Sequence, residues 1–246
     1  LCRSVTYSVN GEADFVATDV VLDSINSVSY KLTCTDGEVI DIFCDIGGKF
    51  SVYNTLGAVV CAIMLGIPTE DIKNALRDIP GVPGRIERVT PMSVPFTVLV
   101  DYAHTPDALE NILATIIESR KVGQKVTVVF GCGGDRDKTK RPVMGKIATE
   151  MADKVIITSD NPRTEDPQSI IDDIIAGIPS TKAYSVFCDR REAIANAVME
   201  AVDGEIILIA GKGHENYEIR KDGKHPFSER DEVMKALAQR QLHLGG

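Results

Sequence analysis

From about residue 97 onward, short runs of β-branched and apolar residues alternate with stretches that have the periodicity of amphipathic helices. Strands that alternate with helices build a parallel sheet that is covered on both faces. The sequence therefore predicts an α/β fold with a Rossmann-like, mostly parallel sheet. The five runs with the composition of buried parallel strands are Thr97–Tyr102, Val126–Gly131, Lys154–Thr158, Ala183–Cys188 and Glu205–Ala210.

The helical stretches carry recognisable start signals. Thr105 is suited to the N-cap and is followed by Pro106 at the first helical position, and Asp166-Pro167 repeats this signal. From Pro106 to Arg120, apolar residues recur at i, i+3, i+4 and i+7, which is one face of a helix. Further helices are predicted at about 170–178, 191–202 and 228–242.

The first 80 or so residues have a different pattern. Asp36-Gly37 is a strong hairpin signal, and a second turn is predicted at Asn10-Gly11. Two helices are predicted at about 52–65 and 69–78. This part is interpreted as the antiparallel edge and closing helices of a larger domain. Its strand-like runs are Val5–Val9, Phe15–Leu22, Val28–Thr33 and Val39–Cys44.

A stretch dense in proline and glycine, Pro80–Gly84, is the predicted linker between these two parts. The predicted domains are residues 1–88, the strand and helix tail of a central domain, and residues 89–246, the Rossmann-like C-terminal domain.

Charge and composition exclude several classes of partner. The chain has 27 basic and 36 acidic residues and a net charge of −9, which argues against nucleic acid. No apolar run approaches the roughly 18 residues of a membrane span, so no membrane partner is expected. The six cysteines form no C-x-x-C pair, which predicts no metal site but buried thiols in a reducing cytosol, and hence a cytoplasmic protein.

Polar residues collect where four of the predicted strands end. In an open α/β sheet, ligands bind at the carboxyl ends of the strands. The four connections are Asp101–Asp107, Gly131–Lys138, Asp160–Arg163 and Gly211–Glu215.

The residue types in these connections suit a free amino acid. The Arg163 guanidinium can grip a carboxylate with two parallel N–H bonds. Asp160 and Glu215 can each accept an ammonium group. Pro162 holds Asn161 in an extended conformation, which fixes where its neighbours point.

Each connection also has a purely structural interpretation. Gly131–Gly134 does not match G-x-G-x-x-G and could be only a tight turn. Asp135–Lys138 could be a solvated charge run, His104 a local hydrogen-bonding group, and Gly211–Gly213 a backbone turn. These alternatives stay open for each connection taken alone.

Taken together and in this order, the motifs resemble the Mur ligase family, and within it the members that add diaminopimelate. The resemblance spans essentially all 246 residues. The motifs that carry it are Gly48–Asn54, Gly84–Glu87, Asp101–Asp107, Gly131–Arg141, Asp160–Arg163 and Gly211–Glu215.

The resemblance implies an ATP-dependent amide-bond ligase of peptidoglycan synthesis. Such an enzyme adds meso-diaminopimelate to UDP-MurNAc-L-Ala-D-Glu through an acyl phosphate. The residues it implies for meso-diaminopimelate are Arg136, Asp160, Asn161, Pro162, Arg163, Gly211 and Glu215. Those it implies for ATP are Asn54, Arg85, Asp101 and His104. It assigns no catalytic residue and no metal ligand within this chain.

One departure from the family pattern is large. The G-x-x-G-K-[ST] loop is absent, since the residue after Lys49 is Phe50. The resemblance places this loop, the Mg²⁺ ligands, a carbamylated lysine and a UDP-binding domain before Leu1. The chain alone is therefore expected to be inactive. It is also expected to be a monomer. The alternatives are a non-catalytic amino-acid-binding module and a sister ligase of the Mur or folylpolyglutamate type.

Overall fold

A computed structural model of the chain describes residues 4–25, 27–79 and 81–244. It contains two compact units, Leu1–Val82 and Pro83–Gly246. The division falls within the stretch predicted as a linker. It precedes the predicted boundary at residue 88, because Glu87–Arg88 pairs with Leu99 and Val100 in the sheet of the second unit.

The first unit is a four-stranded sheet in the order β1-β2-β3-β4, with two helices. A cluster of buried side chains, including Phe15, Leu32 and Leu56, joins the sheet to the helices. The elements are β1 (Tyr7–Val9), β2 (Phe15–Ser24), β3 (Ser27–Thr33), β4 (Val39–Cys44), α1 (Lys49–Met64) and α2 (Thr69–Arg77).

The hairpin at Asp36-Gly37 is confirmed, since β3 and β4 are antiparallel and Gly37 has a φ of 86°. The interpretation as an antiparallel edge does not hold at β1, which pairs with β2 in parallel. Between the two strands, the Asp14 carboxylate accepts hydrogen bonds from the backbone N–H and the hydroxyl of Thr6.

The second unit is built on a six-stranded sheet in the order β5-β6-β10-β7-β8-β9, and all five predicted strands are confirmed. Strands β6 to β10 run parallel, and β5 is antiparallel to β6. The strands are β5 (Glu87–Arg88), β6 (Thr97–Asp101), β7 (Val126–Phe130), β8 (Lys154–Thr158), β9 (Ser185–Phe187) and β10 (Ile206–Ala210).

Helices cover this sheet on both faces, because its central strands are apolar on both faces. Every residue of β7 and β10 is buried. Helices α3 and α5 begin as predicted, with Thr105 and Asp166 accepting from backbone N–H groups of the first turn. The helices are α3 (Pro106–Ser119), α4 (Lys140–Met151), α5 (Pro167–Ile175), α6 (Arg190–Met199) and α7 (Glu229–Leu244).

Three features of the second unit were not predicted. These are the edge strand β5, helix α4, and a hairpin formed by β11 (Tyr217–Arg220) and β12 (Gly223–Pro226). The expectation that the cysteines are buried holds for Cys34, Cys44 and Cys132, while Cys61 and Cys188 are exposed. Cys2 lies outside the described residues. Within residues 4–25, 27–79 and 81–244, no helix has the length and apolar character needed to cross a membrane.

Candidate amino-acid and nucleotide site

The carboxyl ends of β6, β7, β8 and β10 open on one cavity of about 360 Å³. Each of the four polar connections contributes to its wall, as predicted for this edge of the sheet. The predicted residues that line it are His104, Arg136, Asp160, Asn161, Arg163, Gly211 and Glu215. Pro162 lines a neighbouring cavity of about 890 Å³ instead, and Arg163 borders both.

Asn161 connects several of the segments that surround this cavity. Its Nδ2 donates to Glu215 Oε2 at 2.8 Å, and its Oδ1 accepts from Lys212 Nζ and from the backbone N–H of Ile219, both at 2.8 Å. Asn161 is buried. Its side chain therefore joins the connections after β8 and β10 to the hairpin, and its orientation is fixed from inside the protein.

Asp160 and Glu215 already face an ammonium group that belongs to the protein. Lys212 Nζ lies 3.8 Å from Asp160 Oδ1 and 3.9 Å from Glu215 Oε2, and the lysine is 1% exposed. Burial lowers the pKa of Lys212, while Asp160 and Glu215 oppose that shift. A ligand ammonium would therefore share these carboxylates with Lys212.

The Arg163 side chain is anchored at one nitrogen. Its Nη1 donates to Gly134 O at 2.8 Å and to Asn161 O at 3.4 Å. Its Nε and Nη2 make no hydrogen bond to any residue that the structure describes, so this edge can grip a carboxylate. The Arg163 backbone has a φ of 54°, and its N–H donates to Ile219 O at 3.0 Å. That bond to the hairpin holds an unfavourable conformation.

The connections that carry Arg136 and Arg163 are fastened to each other. The Asp135 carboxylate accepts from the hydroxyl and N–H of Thr164 at 2.8 and 3.2 Å, and the Asp135 N–H donates to Glu165 at 2.6 Å. A Cβ on Gly134 would lie 2.0 Å from Pro162 O, so this close approach requires glycine. Arg136 is exposed beside this junction.

The buried side chains of Arg190 and Glu229 form a charged pair next to Asp160. Arg190 is 2% exposed and Glu229 is 1% exposed, and their side chains bond at 2.6 and 2.9 Å. Arg190 also lies 3.9 Å from Asp160. Burial raises the pKa of Glu229 to about 7, and Arg190 opposes that rise. Asp160 Oδ2 has no hydrogen-bond partner among the described residues.

Two of the predicted nucleotide residues lie close to an aromatic ring at the end of β6. The Arg85 guanidinium is 5.1 Å from the centre of the Tyr102 ring, and the His104 ring is 4.6 Å from it. His214 lies 5.5 Å from the same ring. These side chains form a partly cationic, partly aromatic surface, which suits the base and phosphates of a nucleotide.

Asp101 has a structural task at the end of β6. Its two oxygens accept from the backbone N–H groups of Ile86 and Ala103, each at 2.8 Å. Burial raises the pKa of Asp101, and these two bonds oppose the rise. Contact between Asp101 and ATP stays a prediction. Asn54 is exposed on α1 of the first unit, and its part in nucleotide binding also stays a prediction.

Several residues that shape this site were not assigned from the sequence. Lys212 is visible in its motif, but only its burial shows what it does. Arg190 and Glu229 are far apart in the chain and have no pattern that would link them. Lys140 lines the cavity and donates to His104 O at 2.6 Å. The described residues contain no group of three or more His, Cys, Asp or Glu that could hold a metal ion, so no Mg²⁺ site is assigned to them.

A parallel sheet with charged, glycine-containing connections at its carboxyl edge defines an α/β domain with a polar cavity at the position where such sheets bind ligands. The family model described as "Mur ligase, glutamate ligase domain" matches residues 84–213, more than half of the chain. The chain belongs to the Mur ligase family.

Two relatives and one solved structure that are similar to this chain carry the same enzyme name. The chain is 47% identical over 240 residues to the UDP-N-acetylmuramoyl-L-alanyl-D-glutamate–2,6-diaminopimelate ligase of Synechococcus elongatus, covering 97% of this chain and 47% of that protein. It is 46% identical over 235 residues to the ligase of the same name from Clostridioides difficile, covering 95% and 48%. A solved structure of a ligase of this name aligns with a TM-score of 0.69 at 36% identity, covering 96% and 48%. The chain spans about half the length of the curated relatives it matches.

Proposed function

We propose that this chain selects meso-diaminopimelate and contributes to nucleotide binding in an ATP-dependent ligase of peptidoglycan synthesis. The ligase would join meso-diaminopimelate to UDP-MurNAc-L-Ala-D-Glu. The observation that carries the proposal is the single cavity lined by Arg136, Arg163, Asp160 and Glu215. It offers groups of both signs, as a ligand with an amino and a carboxyl group at each end requires.

Selection would depend on the second amino-acid head group. Diaminopimelate carries a carboxylate that lysine lacks, and the free edge of Arg163 suits it. Glu215 Oε1 accepts no hydrogen bond from the described residues, so it can accept an ammonium. A site built for a charged group rejects an analogue without it, because the buried polar groups are left unpaired.

ATP would be held on the side of the cavity nearer β6. Arg85 and Tyr102 suit the charge and rings of a nucleotide, and His104, Lys140 and Arg136 line the same cavity as Tyr102. Asp101 and Asn54 are proposed as further ATP contacts. Metal ligation is not assigned to any residue of this chain.

The proposed reaction has two steps. ATP transfers its terminal phosphoryl group to the D-glutamyl carboxylate, and ADP leaves. The neutral amine of diaminopimelate then attacks the acyl phosphate, an amide bond forms, and phosphate leaves with loss of a proton from nitrogen. Phosphoryl transfer depends mainly on positioning and charge. In this chain, Arg163 and Glu215 would fix the far end of diaminopimelate so that its other amine is presented for attack.

A chimaera tests this proposal. The matched part of the Synechococcus elongatus ligase is replaced by this chain, and ligation is assayed with ATP, UDP-MurNAc-L-Ala-D-Glu and either meso-diaminopimelate or lysine. We expect ligation with kcat/KM at least a hundredfold higher for diaminopimelate. A folded chimaera that ligates lysine equally well would contradict the assignment of the amino acid.

Calorimetric titration of the 246-residue chain, combined with the chimaera assay, distinguishes the two other hypotheses. A non-catalytic binding module would bind diaminopimelate but leave the chimaera inactive. A sister ligase would accept a different amino acid or peptide in the chimaera. Identity of 44–47% to relatives named as diaminopimelate ligases favours the first proposal over both.

A further inference from the structure

Lys212 contacts residues that line the amino-acid site on their buried side. Its ammonium donates to Asn161 Oδ1 at 2.8 Å and to the backbone carbonyl of Tyr217 at 3.1 Å. The cavity that holds Asn161, Asp160 and Glu215 is not lined by Lys212. Lys212 is therefore in contact with the site residues and separated from a ligand by them.

Lys212 is one of three partners that fix the orientation of the Asn161 amide. An amide side chain can be turned by 180° with little change in shape, so only its hydrogen bonds decide where the oxygen points. Lys212 Nζ and Ile219 N–H both require the oxygen, and Glu215 requires the nitrogen. Without the lysine, one of the two donors that fix the oxygen is lost.

Lys212 also separates two carboxylates. Asp160 Oδ1 and Glu215 Oε2 both lie within 4 Å of its nitrogen. Asp160 is only 8% exposed, so its charge needs a partner inside the protein. Removing the ammonium would leave two like charges facing one gap, with Arg190 at 3.9 Å from Asp160 as the remaining cation.

We propose that Lys212 is the positioning residue of the amino-acid site. Its ammonium holds Asn161, Asp160 and Glu215 in the arrangement that admits the ligand, and it makes no ligand contact of its own. The identity of the ligand rests on the proposed function, whereas the positioning role of Lys212 does not.

The test uses Lys212→Met in the 246-residue chain, because methionine keeps the length of the side chain and removes the charge. Affinities for meso-diaminopimelate and ATP are measured by calorimetry, and the side-chain amide of Asn161 is followed by ¹⁵N NMR. We expect diaminopimelate to bind at least tenfold more weakly, ATP within twofold of the original chain, and the Asn161 signals to shift. Lys146→Met is the matched control, because Lys146 is exposed on α4.

A double variant shows whether Lys212 acts through Asn161. Asn161→Leu and Lys212→Met are combined, and the loss of diaminopimelate affinity in the double variant should be smaller than the product of the two single losses. A folded Lys212→Met variant with diaminopimelate affinity within twofold and an unmoved Asn161 amide would overturn the proposal.

Two further outcomes separate the test of Lys212 from the test of the proposed ligand. If Lys212→Met does not fold, the original chain is titrated with diaminopimelate, and the Lys212 Nζ and Asn161 Nδ2 signals should move together while Lys146 stays unmoved. Binding without movement of either signal overturns the positioning role. If the original chain binds no diaminopimelate, the proposed ligand is wrong, and the Asn161 amide in Lys212→Met, or in Lys212→Gln, still decides the role of Lys212.

Discussion

The guanidinium of Arg141 makes two parallel hydrogen bonds to the carboxylate of Glu165, at 2.9 and 3.0 Å. Arg141 is fully buried at the start of α4, and Glu165 lies two residues beyond Arg163. Arg141 also donates to Asp173 on α5 at 2.8 Å. This pair fastens the connection after β7 to the connection after β8, and so fixes the distance between the two strands' polar ends.

Replacing Glu165 by alanine should loosen this junction. Arg141 would keep Asp173 but lose its bidentate partner while buried, which costs about 2–3 kcal/mol of unfolding free energy. The measurement is native-state hydrogen exchange of the β7 and β10 amides. Glu150→Ala, which removes an exposed partner of Lys146 on α4, is the control and should change little. Equal exchange in both variants would contradict the role of the pair.

The same pair predicts how stability depends on acidity. Hydrogen bonds from Arg141 and from the Asp135 N–H hold the pKa of Glu165 at about 2, below its ordinary 4.5. A carboxyl whose pKa is lowered in the folded state stabilises it above the unfolded pKa and loses that contribution as pH falls. The stability difference between the original chain and Glu165→Gln should therefore be constant above about pH 5 and shrink between about pH 4.5 and 2. A difference that does not change over that window would refute this.

Arg190→Met should be strongly destabilising. It leaves Glu229 buried without its cation and leaves Asp160 with Lys212 alone, at a cost of about 3–5 kcal/mol. The double variant Arg190→Met/Glu229→Leu should recover much of this loss, because both buried charges of the pair are gone. Hydrogen exchange of the second unit measures both. Additive losses in the double variant would show that the two residues are not coupled.

Arg163→Ala should remove the preference for diaminopimelate over lysine. The lost carboxylate contact should raise the diaminopimelate KM of the chimaera at least tenfold and leave the ATP KM within twofold. Arg120→Ala is the matched control, since Arg120 pairs with Asp153 beside the opposite ends of the strands. An unchanged diaminopimelate KM would rule out the proposed role of Arg163.

Arg85→Ala should act on the nucleotide instead. The guanidinium lies over the Tyr102 ring, and its loss should weaken ATP binding about tenfold while diaminopimelate binding stays within twofold. Calorimetric titration with each ligand separates the two effects. If ATP affinity is unaffected, Arg85 does not belong to the nucleotide site.

The sequence was sufficient for the parallel sheet and for the edge that carries the site. Strands such as Val126–Phe130 are continuous apolar runs, and the Thr105-Pro106 and Asp166-Pro167 starts are local signals that tertiary contacts did not override. Helix α4 was missed because its buried face includes Arg141, Gly145 and Thr149, which do not form an apolar stripe.

The sequence indicated which residues lie together at the sheet edge, but not the contacts that they make; their roles in binding stay a prediction. Arg136, Asp160, Asn161, Arg163, Gly211 and Glu215 do line one cavity. The sequence could not indicate that Asn161 is fully engaged within the protein, or that Lys212 occupies the space between two predicted ammonium acceptors. Those facts depend on pairs separated by more than 50 residues, such as Asn161 with Lys212 and Ile219, and no local pattern encodes them.

The Asp-Asn-Pro-Arg motif, residues 160–163, is held by contacts with the hairpin β11–β12. The Asn161 side chain accepts from the backbone N–H of Ile219 at 2.8 Å, and the Arg163 N–H donates to Ile219 O at 3.0 Å, so the motif is anchored to one residue of the hairpin. Placing the four motif residues in a relative whose hairpin differs would transfer their identities but not the contacts that position them. A change of amino-acid preference by engineering should therefore exchange residues 160–163 together with 211–226 as one unit.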